Sequence, residues 1–157
     1  MRTLVWFRGK DLRIADHVPL REAALIGEVV PVFVLDPFFF AKEQAQKIPH
    51  RMQFLLDSLK QLAASLEKCG SRLVVVEGRS VEVIPRLVDR FKANRVAAYG
   101  WCDPIGRERD RRIGVTIGER SASRHAPSVT ITSPSMPTVT KAAPPSNVSA
   151  VVADSER

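Results

Sequence analysis

The stretch that decides the fold is Leu4-Val-Trp-Phe-Arg-Gly-Lys-Asp-Leu-Arg-Ile-Ala-Asp-His-Val-Pro-Leu20. Its first four residues are apolar, which is typical of a short strand that is covered on both faces. A loop rich in charged side chains follows, and a helix start comes next. We predict that Asp16 is the N-cap of this helix, because its carboxylate can accept the free N–H groups of the first turn. The stretch therefore indicates a strand, a charged loop and a helix in succession.

Strands and helices continue to alternate up to about residue 114. The predicted strands are Thr3–Phe7, Val29–Leu35, Leu73–Glu77 and Arg95–Tyr99, and the predicted helices run over 49–69, 80–92 and 104–112. Strands that alternate with helices imply right-handed crossovers and a parallel sheet. We therefore predict an α/β fold with an open, parallel, Rossmann-like sheet and helices on both faces.

The composition of the chain changes near Gly114. All seven Phe, both Trp and the single Tyr lie before residue 102, whereas 115–157 is rich in Ser, Thr, Ala and Pro. Such a segment buries too little apolar surface to offset the entropy lost on ordering. We predict a folded domain over 1–114 and a disordered low-complexity tail over 115–157, with Val129–Thr132 as a weak strand candidate. The abrupt change also favours a frame change near Gly114 over a natural linker.

The bulk properties are those of a basic globular protein. The chain has 157 residues and a formal net charge of +7. Its basic residues are interleaved with acids, even in the densest cluster, which consists of Arg107, Arg109, Arg111 and Arg112. This mixture favours a solvated helix face over a groove for DNA.

The sequence also indicates where the protein is found. No apolar run approaches the roughly 20 residues that a membrane-spanning helix needs, and Met1 leads into a strand rather than into a signal peptide. Cys69 and Cys102 are far apart and form no metal-binding motif, so we expect two reduced thiols. We predict a cytoplasmic protein without a membrane partner and without a metal site.

Four further motifs, with the opening stretch, resemble those of one family. They are Leu35-Asp-Pro37, Pro49-His-Arg-Met-Gln-Phe-Leu-Leu-Asp-Ser-Leu59, Gly70-Ser-Arg-Leu-Val-Val-Val-Glu-Gly78 and Cys102-Asp-Pro-Ile-Gly-Arg-Glu-Arg-Asp110. The chain resembles the DNA photolyase and cryptochrome family from Met1 to Gly114. The resemblance implies the family's N-terminal α/β domain, which in many members holds a light-harvesting antenna chromophore.

The resemblance also sets limits on activity. The family's light-driven repair of pyrimidine dimers belongs to a second, helical domain that binds FAD, and nothing in 115–157 resembles that domain. The resemblance implies a truncated form that is inactive as a DNA photolyase on its own. FAD and damaged DNA would then bind only through the missing domain, and we carry over no catalytic residue.

In open parallel sheets, ligands bind beyond the carboxyl ends of the strands. The resemblance implies that Arg51 and Asp103 contact the chromophore, whereas other acid or amide positions of the family read Tyr99 and Trp101 here. This departure leaves a deazaflavin, a folate and a flavin all open. Further residues placed to edge, cover or stack on a ring complete the predicted cofactor-binding set, which is Asp36, Arg51, Met52, Trp101 and Asp103. Arg8, Asp11 and Arg13 are predicted to hold the first loop by ion pairs.

Three hypotheses remain open at this point: an antenna module or remnant of a photolyase, a freestanding nucleotide- or flavin-binding module without repair activity, and a non-functional product of a frame change. In the family's sheet a fifth strand covers the fourth. If that strand is missing, Arg95–Tyr99 becomes an exposed apolar edge. We then predict self-association through this edge.

Overall fold

A computed structural model describes the backbone of residues 1–120 and 128–132 and the side chains of residues 1–117 and of Thr130. Five strands and six helices lie within these residues. In chain order they are β1 (Arg2–Phe7), α1 (Val18–Ile26), β2 (Glu28–Leu35), α2 (Pro37–Phe40), α3 (Lys42–Ala45), α4 (Pro49–Lys68), β3 (Val74–Glu77), α5 (Ser80–Phe91), β4 (Arg95–Tyr99), α6 (Pro104–Arg120) and β5 (Ser128–Thr132).

The strands form one parallel sheet in the order β3-β2-β1-β4-β5. In the centre, Thr3 of β1 lies beside Val29 of β2 on one side and Arg95 of β4 on the other. From the central β1, the chain adds β2 and β3 on one side of the sheet and then β4 and β5 on the other side. Strand order therefore reverses between β1 and β4, and the predicted open parallel sheet is confirmed.

Alternate residues of β1 feed two separate cores. Leu4 and Trp6 face a core that contains residues of α5 and α6, whereas Val5 and Phe7 face a core that contains residues of α1 and α4. Helices thus cover both faces of the sheet, as the apolar strand sequences predict.

The long helix α4 ends as its sequence indicates. Gly70 adopts a φ of 75°, which a residue with a Cβ rarely adopts. Its N–H donates to the carbonyl of Glu67, and the N–H of Ser71 donates to the carbonyl of Leu66. This pair of bonds is the Schellman motif, which satisfies the last carbonyls of the helix.

The N-cap of α1 differs from the prediction. Nδ1 of His17, not the carboxylate of Asp16, accepts the N–H of Leu20 at 3.1 Å. Asp16 instead pairs with Arg13 at the surface. The cap falls on His17 because its ring is fully buried and packs on Phe7, with the ring centres 4.5 Å apart.

The described secondary structure extends past Gly114, the predicted end of the folded domain. Helix α6 continues to Arg120, and β5 pairs with β4 residue by residue, from Arg95 beside Ser128 to Tyr99 beside Thr132. Residues 129–132 of β5 are all β-branched, which suits a strand better than the overall composition of the tail suggests. The remaining parts of the predicted tail, 121–127 and 133–157, lie outside the described residues.

The position of β5 also corrects the predicted edge. Since β4 has neighbours on both sides, it is not an exposed edge strand. The contact includes a side-chain bond, in which Nε of Arg95 donates to Oγ1 of Thr130 at 3.0 Å. The prediction of self-association depended on an exposed β4, so the structure removes its basis. Separately, none of the helices in the described part of the chain is long and apolar enough to cross a membrane.

Candidate functional site

A cavity of about 380 Å³ opens beyond the carboxyl ends of β1 and β2. It lies next to the point where strand order reverses, which is where open α/β sheets bind ligands. The first turns of α4 and α5 and the segment after β4 close its sides. Its lining residues are Trp6, Phe7, Arg8, Gly9, Lys10, Phe33, Val34, Asp36, Phe39, Phe40, Ile48, Arg51, Met52, Phe54, Leu55, Ser80, Trp101 and Arg109. We refer to it as the strand-end cavity.

Aromatic rings form much of the wall of this cavity. Trp6 and Phe33 come from the strands, whereas Phe40 comes from the short helix α2 that follows β2. Phe40 meets Phe33 edge to face, with ring centres 6.0 Å apart. Phe39 is 40% exposed and Phe54 is 74% exposed, so both present apolar surface to solvent. The cavity therefore has a largely apolar wall into which charged side chains are set.

A buried ion pair lies in the wall of the cavity, which one of its members, Arg8, lines. Nη1 and Nη2 of Arg8 donate to the two carboxylate oxygens of Asp110 at 2.9 and 2.8 Å, and both side chains are about 5% exposed or less. The same carboxylate accepts the N–H of Trp101 at 3.3 Å. We call this group of three residues the buried junction. It ties the loop after β1 to α6 and fixes the backbone from which Trp101 projects.

The charged loop after β1 is held by ion pairs and local bonds, as predicted, although among the described residues Arg8, Asp11 and Arg13 form no ion pair with one another. The backbone N–H of Arg8 donates to Oδ1 of Asp11 at 2.5 Å. Oδ2 of Asp11 lies 3.5 Å from Nε2 of the buried His17. Arg13 pairs with Asp16. These bonds therefore fix the conformation of the loop where it lines the cavity.

Positive side chains lie against the two tryptophan rings. Cζ of Arg8 is 4.1 Å from the ring centre of Trp6, and Nζ of Lys10 is 3.9 Å from that of Trp101. Cζ of Arg109 lies 5.3 Å from Trp6 and 5.2 Å from Trp101. These distances allow attraction between each cation and the π face of a ring.

Within the described part of the chain, Arg109 has more unmet hydrogen-bonding capacity than Arg8, of which only Nε has no acceptor. Nε and Nη2 of Arg109 are buried, and no described residue accepts a hydrogen bond from either. The closest carboxylate oxygen is that of Asp110, 3.7 Å from Nε. Burial and the neighbouring charge of Arg8 lower the pKa of Arg109 from its ordinary value. Its positive charge is thus poorly solvated in the resting site.

Asp36 also lines the cavity, and its carboxylate accepts hydrogen bonds from several donors. Its carboxylate accepts the N–H and the hydroxyl of Ser80 at 2.9 and 2.8 Å and the N–H of Phe38 at 3.1 Å. Burial acts to raise the pKa of Asp36, but these bonds and the charge of Arg109 outweigh it and hold the pKa below its ordinary value. Asp36 therefore stays ionised while it holds the starts of α2 and α5 together.

The structure brings four of the five predicted site residues to the strand-end cavity, namely Asp36, Arg51, Met52 and Trp101. Asp103 lines a neighbouring cavity of about 360 Å³, which shares Asp36 and Trp101 with the first. Oδ1 of Asp103 accepts the N–H of Gly106 at 2.8 Å and so caps α6. These placements leave the binding roles themselves as proposals.

The sequence reasoning missed Trp6 and Arg109. Trp6 looked like an ordinary member of a buried strand, and its position near the carboxyl end of β1 was the available signal. Arg109 was grouped with exposed arginines. However, Gly106, Asp110 and Ile113 form the buried side of α6 at helical spacing, and Arg109 lies three residues after Gly106 and four before Ile113. This spacing places Arg109 toward the sheet.

Gly106 has a specific packing role at the cavity wall. A Cβ at this position would collide with the ring of Trp101. The absence of a side chain lets α6 approach the ring closely, which sets the position of Trp101 between the two cavities. Among the described residues, no cluster of three or more His, Cys, Asp or Glu side chains could hold a metal ion.

Comparison with known proteins agrees with this geometry. The family model of DNA photolyase matches residues 3–150. The chain is 36% identical over 119 residues to a (6-4)DNA photolyase of Arabidopsis thaliana, 41% over 114 residues to Cryptochrome-2 of Gallus gallus, and 38% over 110 residues to a deoxyribodipyrimidine photo-lyase of Thermus thermophilus. These matches cover 70–71% of this chain and 19–25% of the relatives, so the chain spans about a quarter of their length or less.

Solved structures show the same fold. A Synechocystis cryptochrome matches with a TM-score of 0.71 and 30% identity, covering 82% of this chain and 26% of that one. A class III photolyase of Agrobacterium tumefaciens matches in fold over 99% of this chain and 37% of its own, with a TM-score of 0.73 and 24% identity.

A third structure, of an archaeal photolyase from Sulfolobus tokodaii, is described as containing two FAD molecules and as implying a novel light-harvesting cofactor. It matches with a TM-score of 0.65 and 27% identity, covering 85% of this chain and 29% of that one. The extent of the family match, the identities to curated photolyases and cryptochromes and the shared fold all agree. The chain belongs to the DNA photolyase family and has the α/β fold of its N-terminal domain.

Proposed function

We propose that this chain is the antenna domain of a photolyase-type protein and holds a light-absorbing ring in the strand-end cavity. The ring is a deazaflavin, a folate or a flavin. The observation that carries this proposal is a cavity with aromatic walls at the carboxyl ends of β1 and β2, beside the reversal of strand order. Its volume of about 380 Å³ lies within the range of roughly 300–1,000 Å³ that is usual for small-molecule sites.

The side chains around the cavity suit a flat, conjugated ligand. Trp101 and Phe40 offer ring faces or edges, and Met52 offers a flexible, polarisable side chain that adapts to a ring. The guanidinium of Arg51 is exposed at the mouth, where it would pair with or stack on the outer part of the ligand. The S. tokodaii photolyase, described as implying a light-harvesting cofactor, supports the same class of ligand for this fold.

The whole photolyase activity is proposed only for a protein that also contains the FAD-binding helical domain. When bound, the chromophore would supply light absorption and energy transfer to that flavin. The residues described here bind and orient the chromophore and keep water from its inner face. Damaged DNA is a partner of the complete protein through the helical domain, and we expect no repair by residues 1–132 alone.

The experiment is a binding titration with FMN and with folate, in which binding is monitored by the quenching of tryptophan emission. Both tryptophans of the chain line the cavity, so the emission reports on this site. The test variant is Met52→Asp, which places a charge in the apolar wall. The matched control is His50→Asp, which adds the same charge to the same first turn of α4 outside the cavity lining.

We expect saturable quenching by at least one of these ring compounds in the wild-type chain and in His50→Asp, and a loss of about tenfold or more in affinity in Met52→Asp, because an ion in an apolar wall is costly to bury. Purified protein that retains absorbance in the near-ultraviolet or blue would agree. Binding of AMP or ATP with no binding of a ring chromophore would contradict the proposal and favour a nucleotide-binding module.

A further inference from the structure

We infer that Arg109 is the anchor for an anionic group of the ligand, so that the cavity selects ring compounds with a phosphate or carboxylate tail over uncharged ones. This inference rests on the proposed function and adds the chemical class of the tail and the residue that recognises it. The shared chemistry is an oxyanion attached to a flat ring, as in a flavin nucleotide or a folate.

The geometry places the guanidinium between two aromatic rings and two cavities. Arg109 lines both the strand-end cavity and the neighbouring cavity, which also share Asp36, Phe39 and Trp101. Its Cζ lies at nearly equal distances from the ring centres of Trp6 and Trp101. A ligand whose ring fills the first cavity would therefore extend its tail past Arg109 toward the second.

The acids that face Arg109 are already engaged with other donors. The carboxylate of Asp110 forms two bonds with Arg8 and one with the backbone of Trp101. Asp36 accepts from Ser80 and from the start of α2.

The third acid, Asp103, caps α6 by accepting the N–H of Gly106. On the other side, Arg8 and Lys10 add positive charge along the same tryptophan rings. Arg109 is therefore the described cation at the cavity for which two buried N–H groups have no acceptor.

The missing acceptor makes an oxyanion favourable at this point. A buried donor without a partner loses its water bonds and gains nothing in return. The planar guanidinium presents several N–H groups in one plane, which fits the spacing of phosphate or carboxylate oxygens. Burial and Arg8 also lower the pKa of Arg109, so its charged form is held at a cost that a bound anion would relieve. A neutral tail would leave these donors unsatisfied.

The test compares ligands that share a ring system: FMN and riboflavin differ only in the phosphate, whereas folate differs from pterin in its whole aminobenzoyl-glutamate tail. Binding of FMN and riboflavin, which share one ring system, is measured by tryptophan quenching, and folate is compared with pterin in the same way. In the wild-type chain we expect the charged member of the pair that binds to bind at least about tenfold more tightly, since hydrogen bonds to charged groups are the stronger class. The preference should weaken as salt is raised.

The test variant is Arg109→Gln, and the matched control is Arg107→Gln, which removes the same charge from an exposed position on the same helix. Arg109→Gln should bind both members of a pair nearly equally, whereas Arg107→Gln should keep the wild-type preference. Arg109→Lys, which retains the charge, should keep part of the preference. This variant and the wild-type comparison carry the test if Arg109→Gln does not fold.

Two outcomes would overturn the inference: wild-type protein that binds FMN and riboflavin, or folate and pterin, equally well, or a preference that survives intact in Arg109→Gln. Either result leaves the antenna proposal standing, because a ring compound still binds. Absence of binding by all four compounds would instead overturn the proposed function itself, and the inference with it.

Discussion

The buried junction adjoins the strand-end cavity, and Arg8 and Arg109 differ in how far their hydrogen-bond donors are satisfied. In the junction, Arg8 forms two short bonds with Asp110. At the cavity, Arg109 has no hydrogen-bond acceptor for two buried nitrogens within the described part of the chain. Arg8, of which only Nε has no acceptor, serves the fold, because its carboxylate partner is inside the protein. A buried charge with two unsatisfied donors at a cavity indicates that its partner comes from outside.

Removal of the acid from the junction should have the largest effect on stability. In Asp110→Ala, Arg8 remains buried without its partner and the N–H of Trp101 loses an acceptor. We expect the free energy of unfolding to fall by about 3–5 kcal/mol, which is the usual result of breaking a buried pair. Urea denaturation measures this loss.

The control for this change is the double variant Arg8→Met, Asp110→Leu, which removes both charges together. The double variant should lower the free energy of unfolding much less than Asp110→Ala does, because no buried ion is left without a partner. Equal losses in the single and double variants would show that the junction contributes packing rather than charge pairing.

Two glycines of α6 should respond to alanine in opposite directions. In Gly106→Ala the new Cβ collides with the ring of Trp101, and we expect a loss of about 1–3 kcal/mol with a shift of the tryptophan emission. At Gly114 no atom lies within 4 Å of such a Cβ. Gly114→Ala should therefore stabilise the protein by about 0.5–1 kcal/mol through helix propensity.

Thermal unfolding monitored by circular dichroism separates the two cases. Because Trp101 lines the proposed ligand site, Gly106→Ala should also weaken ligand binding, whereas Gly114→Ala should leave it unchanged. If both variants behaved alike, the close packing of α6 on Trp101 would not hold in solution.

The decrease in the free energy of unfolding at acidic pH should depend on Asp36. Its pKa in the folded protein is below the ordinary value of 3.8, so its stabilising contribution is complete above that value and is lost as the pH falls through the lower, folded pKa. We expect wild-type stability to decrease over this acid range and Asp36→Asn to show a smaller decrease. Ser80→Ala, which removes one donor to the carboxylate, should give an intermediate slope.

Urea denaturation at a series of acidic pH values measures this difference. A slope that is the same in wild type and in Asp36→Asn would show that the bonds from Ser80 and Phe38 do not favour the ionised form. The effect is the smallest of the three because one partly exposed carboxylate contributes little to the total.

Much of the fold could be predicted from local patterns, but the site only in part. The bounds of β4 and the start of α4 agree with the sequence prediction, since apolar runs and helical periodicity are local properties. The parallel order followed from the alternation of strands and helices. Strand β5 was underestimated because its pairing with β4 depends on a distant partner, which composition alone does not reveal.

The same reason separates the predicted site residues from the missed ones. Asp36 and Trp101 follow strands directly, so topology brings them to the cavity. Arg109 lies in a run of exposed arginines and acids, and its burial depends on how α6 packs against the sheet. Likewise, the capping role of His17 depends on the packing of its ring against Phe7 rather than on its residue type.

The most direct test of the central claim is an NMR titration of the two tryptophan indole N–H signals of the chain with FMN and with folate. The Trp101→Phe variant assigns the signals. The account predicts that at least one of these ligands shifts both signals, because Trp6 and Trp101 line the same cavity. Ligand binding that leaves both indole signals unmoved would contradict the account.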